Sequence, residues 1–199
     1  MGLLFSTILL PVHAATITFE GLPDSTILTN QYAGVTFSNA IILSAGISLN
    51  EFELPPHSGT NVASDNNGPM SIVFSSPISS FSGYFTYYEP LTLQAFNASN
   101  AQVASATSLF SINVGCDPGP LCLGDPGSSP NELIQVSFAG GISSITITGD
   151  PAGGSFAVDD VTYTSVATAV PEPPYLILLL VTIVVIACAP RWERSLRKQ

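Results

Sequence analysis

Carboxylates are the main charged chemistry in the body of this chain. Residues 15–170 carry twelve Asp and Glu, no Lys and no Arg. A pair of carboxylates at the right separation suffices for acid–base cleavage of a glycosidic bond, and groups of them bind divalent cations. Chemistry that needs a cationic clamp on an anionic transition state has no donor here. Nucleic acid and anionic membrane surfaces are excluded as partners by repulsion. His57, the only histidine of the stretch, follows Pro55-Pro56, and no Ser-His-Asp or Cys-His spacing nominates a nucleophile. Glu51 and Glu53 read as a solvated strand edge, and Asp65-Asn66-Asn67-Gly68 as a turn. No catalytic pair stands out, so a non-catalytic role is expected, with a glycan hydrolase using a carboxylate pair as the alternative. Tyr84, Tyr87 and Tyr88 are the candidate sugar-stacking rings, against a reading that packs at least two of them in the core.

The elements that must position these residues are strands. Thr16–Phe19, Val35–Phe37, Ile41–Leu43, Ser71–Phe74, Phe81–Tyr88, Leu91–Ala95, Val103–Phe110, Ile134–Phe138, Ile145–Ile147 and Phe156–Thr164 have strand character, mostly with a period of two, between Gly-, Pro- and Asn-rich turns. About ten short strands and no helical period predict an antiparallel β-sandwich over residues 15–166. The last strand carries a conflict of phase. Phe156 and Val158 share a face with Asp160, while Asp159 shares one with Val161 and Tyr163. One acid must point inward or sit on a bulge.

Both ends of the chain read as export signals. Gly2–Leu10 is apolar, Pro11 interrupts it, and Val12-His13-Ala14 offers the small residues a signal peptidase reads, so residues 1–14 are expected to be a signal peptide. At the other end a Pro-rich linker, 167–174, precedes the uncharged run 175–189 and the tail 190–199, which holds every basic side chain of the protein: Arg191, Arg194, Arg197 and Lys198. The run of 15 residues makes roughly 22 Å of helix. That is a short span for a core of about 30 Å, and snorkelling arginines cover part of the difference. The basic tail stays on the cytoplasmic side and the body outside. By themselves these residues would also make a plain C-terminal anchor.

Pro171-Glu172-Pro173, a short apolar helix and the cluster Arg191, Arg194, Arg197 and Lys198 together resemble the PEP-CTERM sorting domain of exported bacterial proteins. The resemblance implies an exosortase-type membrane protease as partner, an inner-membrane-anchored precursor, and delivery to the cell surface or an extracellular polysaccharide matrix. Export in turn makes a Cys116–Cys122 disulfide the default for the two cysteines of the body. The bond would stabilise its loop by about 2 kcal/mol.

The opening Ile17-Thr18-Phe19-Glu20-Gly21-Leu22 and the closing Phe156-Ala157-Val158-Asp159-Asp160-Val161 resemble the terminal strands of jelly-roll sandwiches of the carbohydrate-binding-module type. That resemblance implies a structural or polysaccharide-binding role. It also implies a structural calcium between the terminal strands, for which Glu20 and Asp159 or Asp160 are the matching positions.

Overall fold

The computed structural model describes residues 8–9, 13–116, 122–166 and 169–170. Residues Val12–Val166 form one compact unit, and the chain ends form a second. Of the second unit the described part is a two-residue ladder, β1 (Ile8–Leu9) antiparallel to β11 (Ala169–Val170). The rest of the predicted leader up to Val12, the Pro-Glu-Pro motif, the apolar helix and the basic tail lie outside the described residues.

The main unit is all-β and antiparallel, as the alternation requires. Its strands are β2 (Ala14–Ile17), β3 (Val35–Ser38), β4 (Ala40–Ser44), β5 (Asn61–Asp65), β6 (Met70–Tyr87), β7 (Thr92–Phe96), β8 (Gln102–Thr107), β9 (Glu132–Thr148) and β10 (Phe156–Ser165). Two of these correct the expectation of uniformly short strands. Ser71–Phe74 and Phe81–Tyr87 belong to one strand of 18 residues. Ile134–Phe138 and Ile145–Ile147 belong to one of 17. Pro77, and Gly141 at φ 98°, mark the bend in each, where the β6–β9 register shifts between Val73 and Ser80. Pro can sit there because the ladder is already interrupted.

The bend carries both long strands from one layer into the other, the sandwich corner made by strands that switch sheets. One layer runs β4-β5-β10-β6-β9 through the 78–87 half of β6, with β2 beside the far half of β10. The other runs β3-β6-β9-β7-β8 through the 70–73 half. Ile72, Phe74, Leu93 and Ile145 from the second layer meet Phe81, Phe85, Val158 and Val161 from the first in one buried core. Phe74 and Phe81, on either side of the bend, lie edge to face at 6.3 Å.

The phase conflict in β10 resolves as a bulge. Asp160 adopts φ 47°, and the β10–β6 register shifts between Asp159 and Thr162. Phe156 and Val158 therefore face the core before the bulge, and Val161 faces it after. Ala157 points outward into a second small cluster with Leu49 and Val62, beneath the segment that links β4 to β5. Within that segment Glu51 and Glu53 lie in a turn, not on a strand edge, because Glu53 N–H and Leu54 N–H both donate back to the Asn50 carbonyl (3.2 and 2.8 Å). Cys116 and Cys122 form a disulfide.

Candidate functional site

The three acids matched at the terminal strands converge on one segment, His57–Asn61. Phe19, buried with φ 61°, turns the chain so that Glu20 faces it. Glu20 Oε1 accepts from the backbone N–H of Thr60 and Asn61, both at 2.8 Å. Asp159 Oδ2 accepts from Ser58 N–H at 2.8 Å, and its other oxygen from Asp160 N–H at 2.7 Å. Asp160 binds His57 Nδ1 at 2.6 Å and Ser58 Oγ at 2.9 Å. The His57 imidazole lies flat on the Tyr84 ring, 3.5 Å between centroids and 7° between planes. Residues 15–170 hold no Lys or Arg to pair with these acids, and the His57–Asp160 contact is a hydrogen bond whatever the charge of the imidazole.

Neutral donors therefore meet the need for which a cation was expected. Calcium takes six to eight oxygens converging on one point. Here each acid instead takes hydrogen bonds from the loop, and among the described residues no three His, Cys, Asp or Glu gather as a metal site. The donor set as placed does not fit a calcium cage. Nor is it a nucleophile set. In such a set the histidine stands between serine and acid, whereas here Asp160 stands between His57 and Ser58.

Burial shapes the electrostatics. Asp159 is 1% exposed, and desolvation, with the neighbouring Asp160 charge adding to it, pushes its pKa up to about 6 against the hydrogen bonds from Ser58 and Asp160 N–H. Asp65 is a buried acid that the turn reading missed. It points inward at the end of β5 and accepts from Ser155 N–H, Ser155 Oγ and Phe156 N–H at 2.9, 3.0 and 3.0 Å. Burial raises its pKa in spite of those bonds. The only signal in the sequence was its odd parity with Ala63.

Gly59 lets the latch close. It holds φ 58°, and a Cβ there would overlap the Glu20 carboxylate. Gly59→Ala is expected to cost about 2–3 kcal/mol, from the left-handed backbone and the displaced acid. That lowers the melting temperature by roughly 5–10 °C for a domain of this size. A scan showing less than about 2 °C would mean that the acids do not hold this loop.

The three tyrosines do not make a stacking platform. Tyr87 is fully buried, its hydroxyl donating to Glu132, so its ring belongs to the core. Tyr88 donates to Glu53 Oε2 at 2.5 Å. Burial and these carboxylates push both phenols up, Tyr87 to about 12. Strand parity is the cause: Phe81, Phe85 and Tyr87 face inward on β6, leaving Tyr84 on the outer side beneath His57.

Two of the outward rows are neutral. Thr16, Thr162, Ser82 and Gln135 stand in one cross-strand row of the first layer. Ser38, Ser71, Thr146, Gln94 and Ser105 form another on the second. Every member carries a hydroxyl or an amide and none a charge.

No protein-family model matches the chain, and no curated protein matches it. Among solved structures it is similar to the K2 cleaved adhesin domain of Lys-gingipain, at TM-score 0.45 and 16% identity over 76% of this chain and 99% of that one. It is also similar to a family 29 carbohydrate-binding module variant complexed with cellulohexaose, at TM-score 0.41 and 10% identity over 77% and 91%. A third is a xylan-binding domain of family 22, at TM-score 0.37 and 15% identity over 78% and 96%. Likeness at this level carries no argument about what this chain binds.

Proposed function

We propose that this chain is an exported surface or matrix protein, delivered by a C-terminal PEP-CTERM signal, whose sandwich binds polysaccharide without cutting it. One observation carries the binding half of the reading. Five of the acids, Glu20, Asp65, Asp159, Glu53 and Glu132, are committed to hydrogen bonds within the chain, while the two neutral outward rows offer only hydroxyls and amides. A carboxylate that hydrolyses a glycoside must flank an open cleft and be free to exchange a proton; Asp159 and Asp65 are buried and fully engaged. Hydroxyl and amide rows suit the neutral hydroxyls of a sugar chain.

The delivery half rests on Pro171-Glu172-Pro173, the apolar run and the basic tail. Exosortase is the partner in that step, and the precursor stays in the inner membrane until it is cut. Two measurements test the reading. Incubation with a panel of polysaccharides should give retention of the protein with no release of reducing ends; steady release would make it a hydrolase. Mass spectrometry of the exported protein should show loss of residues 1–14 and of the basic tail, and an intact Arg191–Gln199 would leave a plain anchor.

A further inference from the structure

We infer that the outward face of β2, β10, β6 and β9 is the ligand surface, and that its ligand is a neutral polysaccharide held through its hydroxyls. The inference rests on the binding reading above and gives it a place. Three cross-strand rows build the face. Thr164, Ser80 and Ser137 make one; Thr16, Thr162, Ser82 and Gln135 the next; Asp159, Tyr84 and Leu133 the third, where His57 covers the Tyr84 ring and Leu133 stays exposed. Neighbouring strands lie about 4.8 Å apart and successive rows about 6.7 Å, so the polar groups form a regular array on the scale of single sugar rings.

A depression of about 220 Å³ opens on this array, bounded by Ser80, Ser82, Gln135 and Ser137 over the backbone of Phe81 and Val136. Among the described residues, none of those four side chains has a hydrogen-bond partner elsewhere in the chain, whereas Thr16 and Thr162 bond each other at 2.8 Å. Apolar surface borders the array at Leu133, 51% exposed, which continues the line of Gln135 and Ser137 on the outward side of β9. Free hydroxyl and amide groups beside an apolar side chain match the two surfaces of a pyranose, its equatorial hydroxyls and its C–H faces.

Charge decides the class of ligand. The two rows around the depression carry no charged side chain; Asp159, in the Tyr84 row, is buried and bonded to Ser58 N–H. The domain holds acids with neither Lys nor Arg, so uronate- or sulfate-bearing chains are repelled. The second layer's outer row is equally neutral, but its one amide pair is already joined, Gln94 Nε2 donating to Gln102 Oε1 at 2.9 Å.

Affinity electrophoresis of the full-length protein in detergent tests the assignment. The gels contain glucan, mannan or xylan as neutral chains, and alginate or pectate as anionic ones. The intact protein should be retarded by at least one neutral chain and by neither anionic one. Ser82→Ala with Gln135→Ala should weaken that retardation about tenfold, from two lost hydrogen bonds. Thr146→Ala with Gln94→Ala on the other layer should leave it unchanged. Ser137→Glu, at an exposed position, should abolish it and decides the matter if the double variant fails to fold. Retardation of the wild type that survives the first-layer substitutions overturns this site and leaves the binding reading standing. No retardation by any neutral chain overturns both.

Discussion

Replacing Asp65 with alanine is expected to destabilise the sandwich by about 3–5 kcal/mol, a large part of the 5–15 kcal/mol that holds a domain together. The carboxylate gathers three donors around the β9–β10 turn, Ser155 N–H, Ser155 Oγ and Phe156 N–H. Asp65, Ser155 and Phe156 are all buried, so truncation leaves those donors without water or partner. Asp65→Asn keeps one acceptor oxygen and should cost about 1–2 kcal/mol. Urea unfolding followed by circular dichroism reads both. A loss below about 1 kcal/mol for the alanine variant would show that the turn is held by packing alone.

Acid is expected to stabilise this protein where it weakens most. Asp159 titrates near 3.8 when unfolded and at about 6 when folded. The folded state therefore binds the proton more tightly, and stability falls as pH rises from about 4 to about 6. The contribution is about 1–2 kcal/mol after discounting for solvent screening around the partly exposed Asp160 beside it. Asp65 acts in the same direction. Asp24 acts in the opposite one, its carboxyl held down by Ser48 and Ser25, but it is on the surface. Self-repulsion among acids that no Lys or Arg offsets adds to the trend. The melting temperature should accordingly rise by a few degrees between pH 7.5 and pH 5, and Asp159→Asn should flatten the rise. A melting temperature that falls steadily over that interval would contradict the placement of Asp159.

How much of this was legible depends on parity. Where one face is buried and the other solvated, as in Val35–Ser38 and Thr92–Phe96, alternation located the strand. Asn61–Asp65 escaped because it is buried on both faces and carries Asn, Ser and Asp, so it shows no period. Ser71–Phe74 and Phe81–Tyr88 read as two short strands, as did Ile134–Phe138 and Ile145–Ile147, yet a single long strand takes in each pair and changes layer at its bend. The bulge in β10 was legible from parity; that it would sit at Asp160 was not. Of the site, Glu20, Asp159 and Asp160 were visible as acids at the ends of the terminal strands. Their partner, the loop His57–Asn61, was not, since its donors are mainly backbone N–H groups that any sequence supplies. Tyr87 misled because a ring's burial depends on strand parity and not on its chemistry.

Retention of the protein on a neutral polysaccharide, measured at low and high salt and with calcium or a chelator, tests the central claim most directly. Hydrogen bonds from an uncharged face should give the same affinity, within about twofold, under all four conditions, and anionic chains should not be retained. Binding that needs calcium, or that appears only for anionic chains and vanishes in salt, would contradict it. The carboxylates would then be the ligand site, and the neutral face would not.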